Sequence, residues 1–273
     1  MTSESVLMSG LLPVMNNEIE EPTRPHISVS HLNMYLRCPA QYMFRYIYRI
    51  KVPARSYLAK GKAIHKGIEH NFRQKKETHQ DVKLAEVLEV TTEEFDHLKV
   101  DTQWASDENP DQIRAETISL ATMYHTEIAP YIQPDLIEQR ITIPLDDDLG
   151  WDLLGIIDLG DQEGFIHDTK TAKKSPTAGE ADKSLQLTAY YLLYRAFTGN
   201  EPAGCKLDYL VQTKNPKVVS LESKRTEREL ARFQNIARTV IKAIESGNYY
   251  PNPNSMMCSE DNCDYWDLCH RDF

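Results

Sequence analysis

Gly155-Ile156-Ile157-Asp158 and Ile166-His167-Asp168-Thr169-Lys170 are the two segments whose reading decides the fold of this chain. Both read as short, largely buried strands, joined by a tight turn at Gly160-Asp161-Gln162-Glu163-Gly164. Each carries an aspartate near its end. Side chains two apart on a strand share a face, so Asp168 and Lys170 project together, and Asp158 can stand beside them on the neighbouring strand. Two carboxylates and an ammonium at the edge of a buried hairpin are costly unless they are put to use. Paired carboxylates hold a hard divalent cation such as Mg²⁺ or Mn²⁺ through oxygen, and an adjacent lysine can orient or deprotonate a water on that ion. Asp158 and Asp168 are therefore candidate metal ligands and catalytic residues, with Lys170 a catalytic partner. The plainer reading is two turn-flanking aspartates that cap or solvate; a charged pair in so apolar a strand weighs against it.

Working outward, residues 136–145 alternate as a strand, Asp146-Asp147-Asp148 turns, and 151–159 returns. Beyond a loop at 173–179, a helix is expected over 182–197 with Gly199 at its C-cap, then strands at 205–212 and 218–221, then a long helix over 225–246 ended by Gly247. Upstream, a helix capped by Ser30 runs from 31 to 50 with a kink at Pro39, and a second runs from 59 to 75. Acidic helices follow at 82–98 and 110–131, the latter announced by the cap Asn109-Pro110. Helices, a strand meander, a helix, a strand pair and a helix make an α/β fold with a mixed sheet. Residues 1–25, with no clean period and Pro13, Pro22 and Pro25, read as a mobile tail. The rest, 26–273, reads as one domain: a helical insertion at 50–132, a core at 133–222, and a long helix with a cysteine-rich segment at 223–273.

The 273 residues carry a net charge of -10, but unevenly. From His31 to Lys75 there are ten Lys/Arg and one acid; from Asp81 to Glu163 there are four Lys/Arg and 21 acids. Local potential steers a polyanion even on an acidic protein. Within the basic block, Arg45, Arg49, Lys51, Arg55, Lys60, Lys62 and Lys66 interleave with Tyr42, Tyr46, Tyr48 and Tyr57. Cations with aromatics suit single-stranded nucleic acid, although tyrosines on the helix's apolar stripe belong to the core. Lys173 and Lys174, just past the second strand, can hold a strand leaving the site. A solvated helix face is the plainer alternative. No run of 18 apolar residues exists, so no membrane span is expected, and a cytoplasmic setting follows as the default.

His65 is a candidate third ligand, with Gly61 one turn before it where a backbone can approach. A lone helix histidine is more often simply packed. Gln186 and Tyr190 share a helical face directly after the lysine strand. Gln186 can bond the lysine, a phosphate or a base, and Tyr190 can hold a phosphate or stack on a base. Of five cysteines, Cys258, Cys263 and Cys269 crowd the C-terminus. In a reducing setting such a group suggests metal or cluster ligation, with Cys38 or His270 able to complete a zinc or iron–sulfur set. Cys205 reads as a small core residue.

Taken together, these motifs resemble the RecB/AddB-type exonuclease branch of the PD-(D/E)xK nuclease superfamily, including its iron–sulfur members such as the CRISPR-associated exonucleases. Ser28-x-Ser30-x-Leu32 with Cys38-Pro39 and Tyr42 resembles the opening helix, and Gly61-x-x-Ile64-His65 the histidine motif. Gly155-x-Ile157-Asp158 with Asp168-Thr169-Lys170 resembles the nuclease core, and Gln186-x-x-x-Tyr190 the helix motif after it. The terminal cysteines resemble the family triplet, with a first gap of four residues where the family usually has two. The resemblance implies a restriction-endonuclease-like mixed sheet flanked by helices. It implies one or two Mg²⁺ or Mn²⁺ ions held by His65, Asp158, Asp168 and the Thr169 carbonyl, with Lys170 positioning the attacking water. It implies a structural 4Fe–4S cluster on Cys38, Cys258, Cys263 and Cys269. The expected activity is metal-dependent exonucleolytic cleavage of single-stranded DNA or DNA ends in recombination, repair or phage DNA metabolism. The alternatives are a non-cutting DNA-binding module serving a helicase and a zinc-stabilised scaffold.

Overall fold

The computed structural model describes residues 24–146 and 148–273. The expected tail therefore falls outside the described residues except at its end. There Arg24 donates to the Gly150 carbonyl at 3.2 Å and pairs with Asp152 at 3.4 Å. Of the expected turn at 146–148, Asp147 also lies outside.

The chain enters through β1 (His26–Ile27) and α1 (Val29–Arg37), which buries Val29, Leu32 and Tyr35. Ser28, not Ser30, caps α1. Its hydroxyl accepts from His31 N, and the Ser28 N–H donates to His31 Nδ1, both at 3.3 Å. Pro39 does more than kink the helix. Its ring and missing N–H force Cys38 into extended backbone (φ -163°). A new helix, α2 (Pro39–Tyr42), starts there and passes into a π turn over Met43–Ile47. Cys38 thus sits at a break between two helices.

The short strand β2 (Ala54–Arg55) leads into α3 (Ser56–Thr78), followed by α4 (Leu84–Leu98), β3 (Thr102–Gln103) and α5 (Pro110–Glu127). Asn109 caps α5 as expected, its Oδ1 accepting from Asp111 N at 2.9 Å. α3 and α4 touch closely at Gly67, where a Cβ would come within 2.1 Å of Thr91 Oγ1. The close approach therefore falls at Gly67. Gly61, where it was expected, faces open space.

The sheet is built from β4 (Pro134–Asp146), β5 (Trp151–Asp161), β6 (Phe165–Ala172), β7 (Gly204–Val211) and β8 (Lys217–Ser223), with β1 at one side. Between β6 and β7 the expected single helix is two: α6 (Glu180–Lys183), then α7 (Leu185–Thr198) with its own cap at Ser184. The expected glycine, Gly199, ends α7 at φ 74°. α8 (Glu227–Glu245) buries Leu230, Phe233, Ala237, Val240, Ile241 and Ile244, one stripe at helical spacing. A short helix, α9 (Trp266–Asp272), carries Cys269 where only loop was expected.

β5 is the axis of the sheet. One edge pairs antiparallel with β4. The other is shared: Asp152 and Leu153 pair with β1, and Leu159 and Gly160 pair with β6. Between these contacts the edge pairs with no described strand, so β5 and β6 diverge at Asp158 and Asp168. β6 then runs parallel to β7, and β7 antiparallel to β8. α7 and α8 cover one face. A second core, with Ile64, Phe72, Leu120 and Tyr124 packed on Leu159 and Leu210, joins the α3–α5 layer to the sheet. No described helix is long and apolar enough to cross a membrane.

His31 sets a pH response in this framework. It packs against His26, Tyr42 and Tyr46, the last with ring centroids 4.2 Å apart. Burial, and then the neighbouring His26, lower its pKa from 6.5 to about 4. The folded state thus keeps His31 neutral while the unfolded chain takes up a proton near pH 6.5. The stabilisation is complete above that pH and is lost as pH falls towards 4, on the order of 2 kcal/mol. His31→Gln retains a capping side chain without the titration. Its thermal stability should fall less steeply than wild type between pH 7 and pH 4.5 in matched melts.

Candidate active site

The fork between β5 and β6 gathers the predicted residues. Asp168 is fully buried on β6. Lys170 Nζ donates to its Oδ1 at 2.9 Å and lies 2.8 Å from its Oδ2. Oδ2 nevertheless has no hydrogen bond of proper geometry, leaving a buried carboxylate oxygen open to a cation. Gln186, on the first turn of α7, closes a ring. Its Oε1 accepts from Lys170 Nζ at 2.9 Å, while its Nε2 donates to Asp168 Oδ1 at 2.9 Å and to the Tyr190 hydroxyl at 2.8 Å. α7 comes this near because β5 has glycine at 155, where a Cβ would meet Leu193 Cδ1 at 2.5 Å.

His65 reaches the fork from α3. Its Nε2 is 2.9 Å from the Thr169 carbonyl and its Nδ1 is 3.6 Å from Asp158 Oδ2. Burial lowers its pKa, so the ring is neutral, the form that binds a metal. Asp158 goes the other way. Burial, and next the Asp168 charge, hold its carboxyl well above the usual range. Such a group takes up a proton when no cation is near. Of the expected ligands, His65 lies against the Thr169 carbonyl and Asp158, while Asp168 stands outside the group whose ligand atoms all lie within 4.8 Å of one another; neutral imidazole and carboxylates are a donor set that suits Mn²⁺ or Mg²⁺.

Sequence reasoning missed Glu138. It lies on β4 across from Asp158, and its carboxylate joins His65 and Asp158 in a group whose ligand atoms all lie within 4.8 Å of one another. Burial, and then Glu69, raise its pKa to about 7. It also missed His167. Facing away from Asp168 on β6, this residue is buried between Asp161, 2.9 Å from Nε2, and Asp208, 3.1 Å from Nδ1. The two carboxylates outweigh burial and raise its pKa, and the triad ties β6 to the end of β5 and the middle of β7.

The basic block is only partly available. Arg45, Arg49, Lys62 and Lys173 are exposed, as are Tyr48 and Tyr57. Lys60 is buried against Glu116, Arg55 is paired with Asp264 at 2.7 Å, and Tyr42 is core. The structure corrects the stacking role expected of Tyr190. Its ring is buried and its hydroxyl is occupied by Gln186, so it cannot receive a base.

Away from the fork, Cys38, Cys258, Cys263 and Cys269 line one pocket, beside His270 and Phe44. Gln41 Nε2 donates to Cys263 Sγ at 3.1 Å and Asn252 N to Cys38 Sγ at 3.4 Å. Burial, then the charges of the other three cysteines, raise the Cys269 pKa. No three of the described thiols lie within 4.8 Å of one another. Cys205 is buried in β7 and stands apart.

A family model described as the PD-(D/E)XK nuclease superfamily matches residues 26–270. The chain belongs to that superfamily. Among solved structures, this nuclease-superfamily chain is similar to a candidate exonuclease from Eubacterium rectale, at 14% identity with a TM-score of 0.60, covering 97% of this chain and 94% of that one. A likeness at that identity is one of fold. The structure of a protein named SSO0001 aligns at 12% identity with a TM-score of 0.44, over 93% of this chain and 88% of that one. No curated protein matches the sequence.

Proposed function

We propose that residues 26–273 work as one metal-dependent DNA exonuclease of the RecB/AddB type, acting on single strands or DNA ends. The observation that carries this reading is the buried Asp168, hydrogen-bonded through Oδ1 to Lys170 and Gln186 and with Oδ2 paired to the Lys170 ammonium at 2.8 Å but carrying no hydrogen bond, in a fork that His65 enters. Asp158, Asp168, His65 and the Thr169 carbonyl would hold Mg²⁺ or Mn²⁺. The bound ion supplies Lewis-acid polarisation of the scissile phosphate and a lowered water pKa. Lys170, held at Nζ by Asp168 and Gln186, orients the attacking water. Gln186 fixes the lysine rotamer, and Tyr190 fixes Gln186. Exposed Arg45, Arg49, Lys62 and Lys173 guide the phosphate backbone, with Tyr48 and Tyr57 as stacking surfaces.

The four-cysteine pocket we read as the seat of a 4Fe–4S cluster. A single tetrahedral Zn²⁺ with Zn–S near 2.3 Å needs sulfurs about 3.8 Å apart. No three of the described thiols lie within 4.8 Å of one another while four line a common pocket, which favours a larger group. The cluster would tie the break after α1 to the last helix. A role in recombination, repair or phage DNA metabolism, in the cytoplasm and alongside a helicase, is consistent with such chemistry.

The test is degradation of single-stranded DNA by the full chain with Mn²⁺. Linear strands labelled at the 5′ or 3′ end should release small products, and circular strands should survive. Cleavage of circles as fast as of linear strands would overturn the exonuclease assignment. Binding without turnover under Mg²⁺, Mn²⁺ or Co²⁺ would favour the non-cutting module. Gln186→Leu should lower kcat about 10- to 100-fold with little change in Mn²⁺ affinity, since it unseats Lys170 without removing a ligand. Parallel kinetics and metal titration check this.

A further inference from the structure

We infer that Arg225 is a positioning residue for the fork, acting on Lys170 through the first turn of α7 and Gln186. The inference rests on the nuclease reading and adds to it. Arg225 lies in the link from β8 to α8 and is buried. A charge so far from water is costly unless it is fully bonded, and its usual partner is a carboxylate. Here the five hydrogen bonds it donates end on neutral oxygens. Nε donates to Thr188 Oγ1 at 2.8 Å. Nη1 donates to the Ser223 hydroxyl and to the Lys224 carbonyl, the latter at 3.1 Å. Nη2 donates to the carbonyls of Ala181 at 2.7 Å and Ser184 at 3.3 Å.

Those acceptors mark the break between α6 and α7. Ala181 and Ser184 present carbonyls at the end of α6, and a cation there satisfies them. Ser184 is also the N-cap of α7. Its Oγ accepts from Leu187 N at 3.2 Å, and its carbonyl accepts from Thr188 Oγ1 at 3.0 Å. Ser223 completes the clamp by donating to Asp182 Oδ1 at 2.6 Å, which ties α6 to the end of β8. The planar fork of arginine thus grips both ends of one helical turn at once, a geometry that lysine cannot reproduce. An apolar side chain would fill the same space without the cost of a buried charge, so packing alone does not call for arginine.

The residue midway between Ser184 and Thr188 is Gln186. Its amide meets Lys170, Asp168 and Tyr190 at 2.8–2.9 Å. Such a constellation tolerates only about 0.5 Å of drift. A first turn of α7 released by Arg225 moves on that scale, and Lys170 then loses its support from Gln186 although every residue of the fork is still present.

The test is a double-mutant cycle on the full chain, with cleavage of single-stranded DNA and Mn²⁺ titration read in parallel. Arg225→Gln should lower kcat about 10-fold, with KM and Mn²⁺ affinity near those of wild type. In a Gln186→Leu background the same change should cost less than about 2-fold, because the route to Lys170 is already cut. Thr188→Val leaves the arginine in place and removes one of its acceptors. It should repeat the pattern with a smaller loss, and it carries the test if Arg225→Gln does not fold. Amide hydrogen exchange over residues 185–190 should quicken in both single variants. Unchanged kcat or unchanged exchange in these variants, or a loss that is undiminished in the Gln186→Leu background, would overturn the positioning role and leave the nuclease reading intact. Wild type without cleavage would remove both.

Discussion

Asp168→Asn lowers strand cleavage by about 10³-fold or more, while the melting temperature stays at or above that of wild type. The two halves of this result have separate causes. Asp168 is fully buried and holds Lys170 at 2.8–2.9 Å, and its Oδ2 is the carboxylate oxygen left for a cation. Asparagine keeps the shape and a bond to Gln186 but removes the charge that binds the ion and aligns the lysine. The folded protein, in contrast, bears a burden from that charge. Burial, and next the Asp168 charge, hold the Asp158 pKa well above the usual range, so neutralising its neighbour lowers that pKa and lessens the cost that Asp158 places on the folded state. Lys170, with its side chain 39% exposed, can turn to solvent. Steady-state rates and thermal melts on one preparation check both halves. A loss of activity that merely followed a loss of fold would leave Asp168 without its catalytic assignment.

Cys269→Ser has the second large effect, and it falls on stability. The segment after α8 has little to hold it. Its apolar contacts form a small cluster of Cys38, Ala40, Met43, Phe44 and Tyr265. α9 is only seven residues long, too short to persist alone. The segment's polar ties run to the same N-terminal region, Arg55 to Asp264 at 2.7 Å and the Tyr265 hydroxyl to the Ile50 carbonyl at 3.2 Å among them. A cluster bound by four thiolates from distant parts of the chain would supply most of the missing stability, because metal-binding free energy becomes folding free energy. On the cluster proposal, replacing one ligand should lower the melting temperature by roughly 10 °C or more, bleach the brown colour that a 4Fe–4S cluster would give the protein, and open residues beyond Tyr249 to protease. Cys205→Ser is the control: burial pushes that thiol up to about 12, it lies outside the pocket, and colour should be retained.

The β5–β6 hairpin, the order of elements and the approach of His65 to Asp158 and Thr169 could be read from local patterns together with the order of the motifs. Asn109, Gly199 and Gly247 marked helix ends through side-chain capping or positive φ, which are local properties too. What was missed depends on pairing between elements. Glu138 matters only once β4 is registered on β5. A signal was available, since a hairpin turning about Asp148 sets 138 opposite 158, but an acid in an alternating strand reads by itself as a solvent-facing residue. His167 is flanked in space by Asp161 and Asp208 from other strands, and nothing in its neighbours announces that. The same limit explains Lys60, whose partner Glu116 lies on another helix. It also explains Tyr190, which the close packing at Gly155 buries.

The central claim is that Asp158 and Asp168, with His65 from α3, hold a divalent cation beside Lys170 to cut phosphodiester bonds. Its most direct measurement is release of labelled nucleotide from single-stranded DNA by wild type and Asp168→Asn, purified side by side, with Mn²⁺ or with EDTA. The account predicts release by wild type with Mn²⁺ alone. Release that survives EDTA, or that is equal in the variant, would contradict it.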